Sequence, residues 1–177
     1  MIKGDANKIL QRAAAQRGWD RIRATMFLDP YGMGVEWPTL EAIQSTKAVD
    51  LWYLVSLAGL YRQATRRESK LDDKKRAALT RMLGTDEWQR AWYAPAVSMD
   101  LFGAASEEAT RTADLSRIED YVRDRLVTVF PEVLAPLRLN NDRGSPMFSL
   151  YFAMSNPSPA ARKVALPIAR YILGSGK

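Results

Sequence analysis

Asp29, Pro30, Tyr31 and Gly32 follow directly on an apolar run, in the stretch MFLDPYGMGVEW. An apolar run that stops so abruptly reads as a buried strand, and this one would deliver a carboxylate and an aromatic ring to a sheet edge. There the two serve either as a site or as a rigid turn. A second carboxylate, Asp5, stands in Gly4-Asp5-Ala6-Asn7, where the plainest reading is a turn that caps a helix. Trp37 follows Glu36 and precedes Pro38, and reads as a packing anchor, with stacking on a base as the alternative. The chain contains no His and no Cys. Ser-His-Asp and Cys-His catalysis are therefore excluded, as are zinc sites built on those residues. Chemistry must come from Asp, Glu, Lys, Tyr, backbone groups or a bound cofactor. Asp5, Asp29 and Glu36 around magnesium would make a nuclease, but no Lys-bearing nuclease signature accompanies them, and no metal site is expected.

The charged residues add a second kind of chemistry. The 177 residues carry a net charge of +6, a balance that suits an acidic partner such as nucleic acid. The densest basic stretch holds Arg62, Arg66, Arg67, Lys70, Lys74, Lys75, Arg76 and Arg81. It is either a solvated helix face, partly paired with Glu68, Asp72 and Asp73, or a phosphate-contacting surface. Arg138 and Arg143, which flank Asn140-Asn141-Asp142, would extend that surface if the last strand lies in the sheet. Trp88, Trp92 and Tyr93 have helical spacing and belong to a core.

These groups need elements to position them. The spacing predicts a helix after Asp5 and strands at 23–29 and 48–57. A short helix starting at Pro38 separates the two strands. The second run, Ala-Val-Asp-Leu-Trp-Tyr-Leu-Val-Ser-Leu, is almost wholly apolar, as in a parallel sheet covered on both faces. Strand alternating with helix predicts an α/β sheet. Residues 61–141 read as helical, and the stretch from Ser106 to Phe130 as one long helix or as two with a break near Asp114. Residues 145–156 return to a strand, and Ser158 with Pro159 opens a final helix that contains Pro167. The expected domain layout is an α/β part formed by 1–61 and 145–177, with a helical insertion at 62–144. No run is long and apolar enough to span a membrane, and no signal peptide or disulfide framework is evident, so a cytoplasmic location is expected.

Gly4-Asp5-Ala6 resembles the acidic adenine-contacting turn of Rossmann-like S-adenosylmethionine-dependent methyltransferases. Asp29-Pro30-Tyr31-Gly32 resembles the motif with which such enzymes hold a target amino group. Longer stretches, among them FLDPYGMGVEWPTLEAIQSTKAVDLWYLVSL and RGSPMFSLYFAMSNPSPAARKVALPIARYIL, resemble the bacterial three-Cys-motif partner family, a methyltransferase-like group named for its genomic association with a three-cysteine protein. The resemblance implies a partial Rossmann-like methyltransferase sheet, mostly parallel, with a helical insertion. It implies catalytic roles for Asp29, Pro30 and Tyr31, the aromatic ring stacking on a target base. It implies cofactor contacts to S-adenosylmethionine from Asp5 and Ala6.

The Gly-rich turn of that family, and the acidic residue that holds the cofactor ribose, have no counterpart in this sequence. The chain is therefore expected to be the C-terminal part of such a fold, truncated or naturally short at Met1, and inactive and unable to bind the cofactor alone. The expected function is that of a methyltransferase-like protein acting on or binding nucleic acid through Arg62, Arg66, Arg67, Lys74, Lys75, Arg138 and Arg143. The alternative is a non-catalytic interaction or nucleic-acid-binding module. Expected partners are nucleic acid, a three-Cys-motif protein, and a second copy of the chain, because a sheet that lacks its first strands leaves the apolar run before Asp29 unpaired.

Overall fold

The computed structural model describes residues 3–99 and 105–174; Met1 lies outside them. Asp5 opens the first helix, α1 (Ala6–Ala14), where its carboxylate accepts the N–H groups of Asn7 and Lys8. Strand β1 (Ala24–Leu28), helix α2 (Trp37–Ser45) and strand β2 (Val49–Val55) follow, and β1 and β2 pair in parallel. Helix α3 (Leu57–Gln63) is capped by the Ser56 hydroxyl. Helix α4 (Asp73–Leu83) starts at the Asp72 cap and ends at Gly84, whose φ of 69° no side-chain-bearing residue adopts cheaply.

The region expected to be wholly helical is not. After the short helix α5 (Trp88–Trp92), strands β3 (Tyr93–Met99) and β4 (Ala105–Arg111) pair antiparallel in a ribbon of their own. Tertiary hydrogen bonds override the helical composition of Ser106-Glu107-Glu108-Ala109. The Arg111 N–H donates to the Arg66 carbonyl at 2.7 Å, and the Tyr93 hydroxyl donates to the Thr65 carbonyl at 2.7 Å. Neither one long helix nor two helices form here: Asp114 caps α6 (Leu115–Val127), and the segment before it is strand β4. Two short strands, β5 (Glu132–Val133) and β6 (Leu137–Asn140), then lead into β7 (Pro146–Met154), and helix α7 (Pro159–Gly174) closes the chain with Pro167 inside it.

The main sheet runs β1-β2-β7-β5, with β6 also on β7. The expectation of a mostly parallel Rossmann-like sheet is overturned, because β7 pairs antiparallel with β2, with β5 and with β6, and only β1 and β2 are parallel. Two physical causes account for the error. The segment Asn141–Ser145 is a tight hairpin turn, not an open loop: the Asn141 side chain accepts the N–H groups of Arg143 and Ser145, and Gly144 takes a φ of 76°. A hairpin forces the two strands it joins, β6 and β7, to run antiparallel, and leaves the direction of β7 against β2 to long-range pairing. The apolarity of β2 reports only that both its faces are covered, which holds whichever way the neighbouring strand runs.

Those two coverings are the two cores. On one face Val49, Leu51, Tyr53 and Val55 of β2, with Tyr151 and Ala153 of β7, pack under Leu40, Leu60, Leu79, Trp88, Trp92, Ile118 and Val122. Trp88 and Trp92 are ring neighbours at 5.4 Å, as their helical spacing suggested. On the other face Phe152 and Met154 meet Leu166, Ala169 and Leu173 of α7, and Trp52 tilts against Phe152 at 4.9 Å. Helix α7 is too narrow to cover the whole of this face. Phe27 in β1 remains 59% exposed, and Val164 and Ile168 of α7 remain exposed as well. None of the described helices is long and apolar enough to cross a membrane.

Candidate functional site

Strand β1 ends at Leu28, and Asp29, Pro30, Tyr31, Gly32 and Met33 turn away from its carboxyl end. Gly32 has a φ of 62°, and a Cβ on Gly34 would stand 3.2 Å from the Tyr31 carbonyl. Both glycines let the turn close on itself. Asn7 then fixes its far end. Its side-chain amide donates to the Gly34 carbonyl at 2.8 Å, while its carbonyl oxygen accepts the Glu36 N–H at 3.0 Å and the Thr39 hydroxyl at 2.8 Å. The loop is therefore tethered to α1 and α2, and Tyr31 at its tip is fully exposed.

Beside this loop lies the start of α3. Asp29, Pro30, Tyr31, Gly32 and Met33 line one wall of a cleft of about 620 Å³, and Ser56, Gly59, Arg62, Gln63 and Phe148 line the other. The three residues expected to be catalytic thus share one cavity at the carboxyl end of the parallel pair β1–β2. It offers a carboxylate, a guanidinium, an amide, a hydroxyl and two aromatic rings. That set can accept hydrogen bonds from an amino group, stack on a flat ring and balance an anion. Ser56, Gln63 and Phe148 carried no signal in the sequence. Ser56 and Gln63 meet Asp29 because β2, which leads into α3, pairs with β1, and Phe148 because β7 returns beside β2, opposing Ser149 to Val55.

The other expected site residues disperse. Asp5 and Ala6 do not line this cleft. One carboxylate oxygen of Asp5 already accepts two helix N–H groups. Among the basic residues, Arg62 lines the cleft, and Arg143 sits in the β6–β7 turn at the same end of the sheet. Arg67 pairs with Glu108 at 3.5 Å and Lys75 with Asp72 at 3.0 Å. Arg138 is bound to buried Glu119, which holds its pKa above the usual guanidinium range. Arg66 and Lys74 are exposed and away from the cleft lining. The basic stretch is thus mostly a solvated, partly paired helical surface. Trp37 is buried, with the Arg125 guanidinium 4.7 Å from its ring centre, which leaves no face for a base. Among the described residues Asp5, Asp29 and Glu36 do not gather into a group that could hold a metal ion.

No protein-family model matches the chain, and neither a curated protein nor a solved structure matches it.

Proposed function

We propose that the cleft at the carboxyl ends of β1 and β2 binds a nucleotide unit of a nucleic-acid strand. The base lies against Tyr31 with its exocyclic amino group on Asp29, and the phosphates lie toward Arg62 and Arg143. One observation carries this reading: Arg62, distant in sequence, lines the same cavity as the neighbouring Asp29 and Tyr31, and the three have complementary chemistry. An exposed tyrosine on a tethered loop is the stacking platform that single strands use, and stacking tolerates sequence because every base has a flat face.

Methyl transfer to that amino group is the reaction the sequence resemblance suggests, and the cleft supplies only its amino-holding half. The Asp5–Ala6 turn has one carboxylate oxygen engaged in capping α1 and offers S-adenosylmethionine only the other and a backbone N–H. One or two hydrogen bonds at about 0.5–1.5 kcal/mol each fall far short of the roughly 8 kcal/mol that micromolar affinity requires. Nucleotide binding does not depend on that cofactor, so no methylation step is assigned to this chain alone.

The test is fluorescence-anisotropy titration of short single-stranded oligonucleotides across a salt series. Tyr31→Ala should cost about 1–3 kcal/mol. Arg62→Ala should flatten the log–log salt dependence by about 0.7. Asp29→Ala should erase any preference for amino-bearing bases over uracil or thymine. Binding that is indifferent to both Tyr31 and Arg62, or absent at low salt, refutes the proposal.

A further inference from the structure

Among the described residues strand β1 is an edge. Its only strand partner among them is β2, and nothing in Ala-Thr-Met-Phe-Leu guards the other side: it has no Pro, no Lys and no bulge. The phase of its free groups follows from the register. Ala24 faces Val49, and the Ala24 N–H donates to the Ala48 carbonyl at 3.0 Å. In a parallel ladder alternate residues turn their backbone groups to the same neighbour. Ala24, Met26 and Leu28 therefore bond to β2, and Thr25 and Phe27 turn theirs outward.

We infer that this edge pairs antiparallel with the β1 edge of a second copy, about a two-fold axis through Met26. In that register Thr25 opposes Phe27 of the other copy, and each pair exchanges both outward N–H and C=O groups. Met26 opposes Met26 as a pair without hydrogen bonds, which is the alternation an antiparallel ladder demands. Arg23 opposes Asp29, so the charges at the two ends of the strand are self-complementary. A shift of the axis by one residue to Phe27 would set Asp29 against Thr25 and lose that match.

The side chains fit the same register. Thr25, Trp52, Val164, Ile168 and Ile172 line an open groove of about 320 Å³ between the sheet and α7. The unusually exposed Phe27 of the second copy, opposite Thr25, lies over it. One isologous contact then satisfies the bare edge, the exposed ring and the unfilled groove together, and the main sheet runs unbroken through both copies. This contact rests on β1 and α7 and not on what the cleft binds, although it brings Arg23 of the second copy to the cleft rim beside Asp29.

The experiment is sedimentation and light scattering of the full chain over a wide concentration range. The wild type should show a dimer. Thr25→Pro removes an outward N–H that β2 does not use, and should give a monomer with unchanged circular dichroism. Arg23→Asp should weaken dimerisation about tenfold, and Arg23→Asp combined with Asp29→Arg should restore it. The chain has no other thiol, so Met26→Cys should oxidise to a covalent dimer, whereas Phe27→Cys should not. A wild type that stays monomeric overturns the inference, including one that binds only some other polypeptide. So does a dimer insensitive to Thr25→Pro, or a charge reversal that the double variant fails to rescue.

Discussion

Replacing Glu119 with alanine should destabilise the protein more than any other single change on the surface of α6. Glu119 is a charged residue held almost out of water, 7% exposed. Its carboxylate accepts the Arg138 Nε–H at 3.1 Å, a second bond from the Arg138 guanidinium, and the hydroxyl of Ser149. The two partners fare differently when it is removed. Ser149 is fully buried, so its hydroxyl is left unsatisfied, at about 1–3 kcal/mol. The Arg138 side chain is 34% exposed and can turn its charge back to water, so its share is discounted to roughly 1 kcal/mol. The total is about 2–4 kcal/mol, or roughly 4–16 °C in Tm for a domain of this size. Glu119→Gln keeps the shape, accepts from Arg138 and donates to a rotated Ser149 hydroxyl, and should lose about 1 kcal/mol. Urea and thermal unfolding of the two variants, with Arg138→Ala to close a double-mutant cycle, measure this directly. An alanine variant within about 0.5 kcal/mol of wild type would refute the claim that this carboxylate ties α6 to β6 and β7.

Two further outcomes follow from the packing. Asp50 lies half-buried in β2, and desolvation raises its pKa despite the opposing pull of Arg23. Its charge is thus less favourable in the folded chain than in the unfolded one, a penalty present above the folded pKa and relieved as pH falls through it. Asp50→Asn should therefore raise Tm at neutral pH, and thermal melts should show the gain vanishing below the carboxylate range. At Gly84 a Cβ would fall 2.2 Å from the buried ring of Trp37, at a positive φ. Gly84→Ala should accordingly cost about 2–5 kcal/mol from strain and overpacking. Gly18→Ala, also at positive φ but in open space, should cost only the strain in the same unfolding assay.

The three long strands of the sheet were legible because each is a compact apolar run, and runs of that kind have nowhere to go but a sheet interior. Asp5 announced a helix start, since a short acidic side chain just before an amphipathic stretch answers the unpaired N–H groups there. The direction of β7 was not legible, since side chains record burial and not strand polarity. The hairpin chemistry of Asn141 and Gly144 records only that β6 and β7 run opposite ways, and nothing local records how β7 runs against β2. β6, Leu-Arg-Leu-Asn, is too short and polar to stand out from its surroundings. Within the site, Asp29 and Tyr31 were visible as the end of a strand and Arg62 as part of a charge cluster. Their meeting depends on long-range pairing that no local pattern encodes. The same is true of Asn7, which looked like a cap and instead anchors the loop that carries Tyr31.

The place of β7 has a consequence for how the chain is made. Leu51 pairs with Ala153 and Val55 with Ser149, so β2 must wait until residues 149–154 are made before its second neighbour exists. Until then a newly synthesised chain carries an apolar strand bare along one side, close to the α3 segment that later forms the cleft wall. Sheets closed by such distant pairing assemble slowly and are exposed to aggregation while they do. The cleft shares that delay. Phe148 arrives on the same strand that completes the sheet, so the protein acquires its site only in the step that finishes its fold.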